Sequence, residues 1–293
     1  DLGSSPTIRI RGFGSINAGQ APLWIVDGMP YEGDLNNLNM ADIESMTVLK
    51  DAASNALYGS RGANGVIMVT TKSAKVGEAV VNVDAKWGVN SRALVEYDVI
   101  KNPGEYYETH YAALYNYYKD NNSKNPYLDA VIGLTGNGTG GLGYNIYTIP
   151  EGQYLIGRNG KLNPNARLLY DDTFADALFD SSLRQEYQVS ASGGTDKTNY
   201  YLSMGYLDND SYVIGSDYNR ISARANVNSQ LKSWLKVGTN IAYSVTEMNG
   251  VKDGVGQASN PFDVARSWAP IFPVHGYDEK GNLVYDANGE PVY

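Results

Sequence analysis

Imidazole is the side chain best suited to moving protons near neutral pH, and the 293-residue sequence has two, His110 and His275. No cysteine is present, so a nucleophilic site would need one of these rings beside an activated hydroxyl. His110 falls in a tyrosine-rich stretch and His275 ends the run PIFPVH; neither sits in a recognisable nucleophile motif. Gly136, Gly138 and Gly141 satisfy G-x-G-x-x-G, which cradles phosphate when a strand precedes it and a helix follows. The preceding AVIGLT reads as a strand, but no helix pattern follows and no βαβ unit surrounds it. DEKGN (278–282) and DANG (286–289) resemble calcium loops without the acidic spacing or the closing Glu. Two successive hairpin turns account for them better. The 32 acidic residues include no pair whose spacing marks a glycosidase. The expectation is a protein that is not an enzyme, with no catalytic residue, metal or cofactor.

Composition narrows the remaining classes. A net charge of −9 argues against a nucleic-acid partner. Tyrosine outnumbers phenylalanine 24 to 5, and an amphipathic ring suits a water–lipid boundary or a wet binding surface. No stretch approaches the ~20 apolar residues of a spanning helix, which leaves room for a barrel of short alternating strands or for a soluble β-sandwich. The chain starts at Asp1 without Met or signal peptide and ends at Tyr293 amid turns and strands, so it reads as part of a longer protein.

The first 75 residues are dense in short signals. Residues 7–11 (TIRIR) alternate like a strand, and LWIV (23–26) is a second strand stopped by Asp27-Gly28, a favoured hairpin pair. DIESMTVLK (42–50) leads to Asp51, a plausible N-cap, and Gly59, a plausible C-cap, with about two helical turns between them. Gly62 and Gly65 open a strand at 66–71. Together these predict a small α/β unit.

Beyond Lys75 the period becomes two. Segments 80–89, 183–192, 199–207, 220–228 and 234–245 each place Val, Ile, Leu, Trp or Tyr on one face and Asn, Ser, Gln, Lys or Gly on the other. Links at 193–198 and 230–233 are short, whereas 208–219 is longer and some ninety residues separate the first two segments. Alternating short and long links mark transmembrane barrels, and a sandwich rarely tolerates so long an insertion between core strands. Within the insertion, Asn102-Pro103 starts a helix through GEYYETHYAALYNYYK, with LTGNGTGGLG as a glycine-rich loop. Its tyrosines either pack the insertion or form an aromatic surface for sugars or peptides.

Four segments in order, IRIRGFG (8–14), PLWIVDGMP (22–30), IESMTVLKDA (43–52) and LYGSRGANGVIMVTTK (57–72), resemble the plug of the SusC/RagA family of TonB-linked outer-membrane transporters. QVSASGGTDKTNYYLSMGYLD (188–208) is similar to the start of that family's barrel. The resemblance implies a mainly β protein with residues 1–75 as the C-terminal part of a plug domain. Residues 76–293 would be the N-terminal part of an incomplete transmembrane β-barrel, with an extracellular insertion at about 90–182. It further implies import of oligosaccharides or peptides across the bacterial outer membrane, powered through TonB and its inner-membrane energising complex. A SusD-like surface lipoprotein would be the partner and outer-membrane lipid the surround. Plug-signature positions are Arg9, Arg11, Gly12, Asp27, Gly28, Lys50, Asp51, Tyr58, Gly59, Arg61, Gly62 and Gly65. Arg9, Arg11 and Arg61 are candidates to pair with carboxylates of the wall or plug; the glycines permit turns and close approach. A receptor that binds without transporting, and a soluble carbohydrate-active enzyme, are the competing readings.

Overall fold

Asp27 and Gly28 both take positive φ, 49° and 85°, the combination whose twist suits a two-residue hairpin. Accordingly β1 (Leu23–Val26) and β2 (Met29–Tyr31) pair antiparallel with Val26 opposite Met29. β3 (Ile43–Leu49) and β4 (Val66–Thr71) complete a sheet of order β2-β1-β4-β3, in which β1 and β4 run parallel. Ile25, Val66, Ile67 and Val69 are buried in it. The computed structural model describes residues 7–10, 21–49, 57–73, 76–93, 99–251 and 260–293. Residues 7–10 form no strand despite their alternation. Ile10 instead lies against Gly65 (φ 95°), where a Cβ would come within 2.9 Å of its side chain. Of the helix expected at 51–58, only Leu57 and Tyr58 are described, and both are helical; the rest lies outside the described residues.

Each of the five alternating segments forms one long strand. β5 (Gly77–Asn90), β6 (Ser182–Gly194), β7 (Thr198–Asp210), β8 (Asp217–Lys232) and β9 (Leu235–Asn249) pair antiparallel in the order β9-β8-β7-β6-β5. β7 and β8 outrun their predicted ends, so the link between them shrinks to 211–216, closed by Ser211 N–H donating to Ser216 C=O at 2.8 Å. The polarity of this wall is inverted relative to a water-soluble sheet. Val83, Met204 and Tyr243 are 72%, 67% and 64% exposed, whereas Gln188, Ser203 and Ser222 on the opposite face are each 5% exposed. Rings gather on the apolar face: Trp87 Nε1 donates to Tyr187 Oη at 3.1 Å, and Tyr187 stacks on Tyr206.

The small sheet and the wall make one compact unit, Asp1–Ser91 with Ser181–Gly250; the other is Arg92–Asp180 with Val251–Tyr293. In the second, Asn102 caps α1 (Pro103–Asp120) by accepting from Glu105 N–H at 3.1 Å, with Pro103 in the first turn where its missing N–H costs nothing. Asn125 caps α2 (Pro126–Leu134) likewise. The AVIGLT run is therefore helix and loop, not strand. α3 (Phe174–Leu178) and α4 (Pro261–Ser267) follow. Tyr107, Tyr111, Leu114, Val131, Leu134 and Ile156 form the centre of a conventional apolar core, so most tyrosines of α1 are packing residues.

Candidate functional site

The buried polar face of the wall meets the small sheet through a network of hydrogen bonds and charge. The hairpin turn aims Asp27 at β8 and β9. Its Oδ1 accepts from Thr71 N–H at 2.8 Å, and its Oδ2 accepts from Thr71 Oγ1 and Asn240 Nδ2 at 2.6 Å each, with Arg224 Nη1 at 3.4 Å. Burial pushes the Asp27 carboxyl up, but the Thr71 bonds, the Asn240 bond and the Arg224 charge outweigh it, leaving the group below its ordinary value. Arg224 also donates to Thr71 Oγ1 at 3.1 Å and Asn240 Oδ1 at 3.0 Å, and its Nε lies 3.9 Å from Asp42 Oδ2. One guanidinium thus serves two carboxylates of the small sheet.

A second set of contacts is built on the two 3-10 turns between β2 and β3, Leu35–Asn37 and Met40–Asp42. Asn39 caps the second turn through Ala41 N–H and donates its amide to Gln188 Oε1 at 2.8 Å and Ser222 Oγ at 3.0 Å. Asp42, 4% exposed, accepts from Gln188 Nε2 at 3.0 Å and Tyr201 Oη at 2.9 Å. Arg220 clasps backbone carbonyls, Asn36 O at 2.8 Å and Leu38 O at 3.0 Å, and Tyr218 Oη donates to Asn36 O as well. Gly205 is what lets the turn approach: a Cβ there would meet Gln188 Oε1 at 2.4 Å, Asn39 Nδ2 at 2.6 Å and Ser222 Oγ at 2.9 Å. A polar cavity of about 210 Å³ remains in the seam beside Asp42, Arg224 and Ser244.

Of the positions singled out by sequence, Asp27 lies at this seam, and Gly28 beside it is an exposed turn residue with φ 85°. Tyr58 precedes a 3-10 turn, Gly59–Gly62, and Gly59 has φ 59°. Gly62 and Gly65 are buried backbone positions. Arg61 pairs with Glu32 of the small sheet's own loop at 2.5 Å, both exposed, and not with the wall. Arg9 is described and exposed; Arg11, Gly12, Lys50 and Asp51 lie outside the described residues. Arg61 thus takes the second of its two expected partners, a carboxylate of its own unit, while at the seam cations of the wall reach acceptors of the small sheet. Sequence reasoning missed Asn39, Asp42, Gln188, Tyr201, Arg220 and Arg224. One signal was there, since Arg220 and Arg224 share the polar face of an alternating strand with Ser222 and Asn226, and two cations on a buried face need acceptors opposite.

The motifs with chemical overtones resolve as local architecture. Gly141 sits where a Cβ would lie 2.0 Å from Gly136 O, so the glycine loop closes on itself and forms no cradle. Asp278 Oδ1 accepts from Lys280 and Asn282 N–H at 2.8 Å each, and Asp286 Oδ1 from Asn288 and Glu290 N–H at 2.8 and 2.9 Å; both carboxylates brace their own turns. His275 is joined to Asp172, whose Oδ2 accepts from His275 N–H and Nδ1 at 2.9 Å each, from Val274 N–H at 3.2 Å and from Tyr277 Oη at 3.1 Å. Burial raises the Asp172 carboxyl, and these donors more than reverse that, leaving it lowered. The cluster is a clamp between distant parts of the chain.

Comparison with known proteins sets this geometry in context. Residues 1–66 match the family model described as TonB-dependent Receptor Plug Domain. TonB-dependent receptor P39 of Formosa agariphila is 30% identical over 254 residues, covering 86% of this chain and 20% of that protein. TonB-dependent receptor SusC of Bacteroides thetaiotaomicron is 30% identical over 234 residues, covering 77% of this chain and 19% of that one. Among solved structures, one titled as the RagAB peptide transporter superposes with a TM-score of 0.65 at 28% identity, over 98% of this chain and 30% of that one. The chain spans about a fifth of the length of these curated relatives.

Proposed function

We infer function from one premise: this chain is a SusC/RagA-like TonB-dependent receptor segment. The protein that contains it imports oligosaccharides or peptides across the bacterial outer membrane, with energy delivered through TonB and its inner-membrane complex. A SusD-like surface lipoprotein is its partner. Residues 1–75 are the C-terminal part of the plug, residues 76–293 the N-terminal part of the barrel, and the insertion at about 90–182 faces the cell exterior. The plug-signature positions, from Arg9 to Gly65, shape or gate the plug.

The observation that carries this reading is the inverted wall with a polar seam against the plug. Trp234 at the tight turn and Tyr243 on the apolar face are nine positions apart. At ~3.3 Å per residue and a tilt near 40°, they are separated by roughly 23 Å across the membrane, close to the ~25 Å apolar band of outer-membrane barrels. A seam of hydrogen bonds suits a part that must move. Each bond broken is replaced by one to water, at a net cost of ~0.5–1.5 kcal/mol for neutral pairs and ~1.5–3 kcal/mol for charged ones, so the seam can open bond by bond.

The test uses the full-length receptor in its native cells. Labelled oligosaccharides and peptides are followed into the periplasm with TonB present and deleted, and the receptor is pulled from solubilised outer membrane to identify its companion. Uptake that needs TonB, with a surface lipoprotein co-purifying, supports import. Binding without uptake in either strain would make the protein a surface receptor, and recovery in the aqueous fraction would end the membrane reading.

A further inference from the structure

An asparagine followed by glycine can cyclise, because glycine puts no side chain in the way of its own nitrogen. The sequence holds five such pairs: Asn64-Gly65, Asn137-Gly138, Asn159-Gly160, Asn249-Gly250 and Asn288-Gly289. For the ring to close, the glycine nitrogen must leave any hydrogen bond it makes, and the asparagine amide must be free to swing over it. The fold holds four of the pairs and leaves one loose.

Gly65, Gly160 and Gly289 each give their N–H to a carbonyl of their own turn: Gly62 O at 2.9 Å, Gly157 O at 2.9 Å and Asp286 O at 3.1 Å. Their asparagines are tied as well. Asn64 Nδ2 donates to Ala21 O at 3.3 Å, Asn159 Oδ1 accepts from Lys161 N–H at 3.1 Å, and Asn288 Nδ2 donates to Asp286 Oδ2 at 3.3 Å. At the end of β9, Asn249 Nδ2 is held by both carboxylate oxygens of Asp217, at 3.1 and 3.2 Å.

Asn137-Gly138 lies in the glycine loop, which is pinned on either side of the pair. Gly136 N–H donates to Gly133 O at 3.1 Å, Gly141 N–H to Gly138 O at 2.9 Å and Gly143 N–H to Gly136 O at 3.0 Å. Between these pins Asn137 and Gly138 are exposed. Neither the Asn137 amide nor the Gly138 N–H makes a hydrogen bond to the described residues. A Cβ on Gly138 would meet nothing within 4 Å, so the space over its nitrogen is open.

We propose that Asn137-Gly138 is a site of self-modification, at which the main chain converts asparagine to isoaspartate and aspartate with water as co-reactant. Gly138 N gives its proton to solvent and attacks Asn137 Cγ; the bond from Cγ to Nδ2 breaks, and ammonia leaves with a proton returned by solvent. The cyclic imide then adds one water. Opening at the main-chain carbonyl gives isoaspartate, and opening at the side-chain carbonyl gives aspartate. Either product adds a negative charge. Isoaspartate also lengthens the main chain by one carbon between the Gly136 and Gly141 pins, in the span that carries Gly140 O, the partner of His110 Nε2 at 2.6 Å. The receptor therefore exists in two chemical forms whose glycine loops differ in charge and path.

The experiment ages the full-length receptor in detergent at neutral pH and digests it with pepsin in acid, where cyclisation stops. Mass spectrometry then reads amide-to-acid exchange at each pair, and isoaspartyl methyltransferase labelling reads the isomer. Asn137 should convert roughly three- to tenfold faster than the other four, the span that freeing one hydrogen bond gives. In denaturant the five rates should converge. Gly138→Ala, which the open space accommodates, should suppress conversion at position 137 with the fold intact. A rate at Asn137 no faster than at the other pairs, a gap that persists in denaturant, or undiminished conversion in Gly138→Ala overturns the proposal. Aspartate without isoaspartate would mean direct hydrolysis of the side chain and overturns the cyclic route.

Discussion

The two units of this chain solve opposite problems. In the insertion unit, carbon packs on carbon: Tyr107, Leu134 and Ile156 are fully buried, and polar groups cap helices or brace turns at the surface. In the plug-and-wall unit, the buried layer between sheet and wall is Asp, Asn, Gln, Arg and Tyr hydroxyl, while valines, tyrosines and tryptophans stand exposed. The first arrangement is what water selects. The second suits a wall with hydrocarbon outside. Burial alone therefore does not identify a core; the chemistry of what is buried separates the two units.

That contrast breaks most severely at Arg224. Arg224→Ala would leave Asp42 buried beside Asp27 without their shared cation, a loss of about 3–5 kcal/mol in plug seating by analogy with broken buried pairs. Limited proteolysis of the plug in the full-length receptor should show faster cleavage, and unchanged protection would mean that the seam does not hold the plug. Leu134→Ala probes the opposite unit: a cavity in an apolar core should cost about 2–5 kcal/mol, lowering the unfolding midpoint of the insertion with the seam intact. Ile241→Arg, about 5 Å inside the lipid boundary that Tyr243 marks, should cost ~1–2 kcal/mol of insertion, between the interface and midplane values. Asn82→Arg, on the polar side of β5, should cost far less; equal folding yields for the two in vesicles would reverse the assigned faces.

Acid should loosen the seam at Asp27, as it should the Asp172 clamp of the insertion unit, whose carboxyl is also held low. Because the Asp27 carboxyl is held below its ordinary value of 3.8, its contribution is complete above that value and disappears as pH falls through the lowered one. Plug protection followed from pH 7 to 2 should drop at the acid end, and Asp27→Asn should flatten that drop. The smallest effect is expected at Arg61. Its pair with Glu32 is exposed on both sides, so Arg61→Ala should change stability by less than about 0.5 kcal/mol, and a larger loss would give it a structural role that its surroundings do not suggest.

The strands were legible because a period of two survives any environment: whichever face meets lipid, Val81, Val83 and Ala85 must point together. The hairpin was legible for the same local reason, since Asp27-Gly28 prefers positive φ in isolation. The seam was not. Asp42 looks like any residue before a strand, and Asn39 like any turn former, until the fold brings them against Gln188, Tyr201 and Ser222 across more than 140 residues of chain. Residues 7–10 show the converse error, where alternation alone suggested a strand, whereas Ile10 packs against Gly65 without pairing. AVIGLT misled because short apolar runs are ambiguous between strand and helix, and the Asn125-Pro126 start upstream decided it.

Arg220 holds the turn by its carbonyls at Asn36 and Leu38, and every residue carries a carbonyl. A clasp of that kind is indifferent to spelling: position 36 can change from one homologue to the next while the grip persists, provided the backbone keeps its path. The burden of constancy falls on the wall, where no other side chain offers the same fork. The surface of this turn can thus be rewritten without changing how the small sheet is seated on the wall.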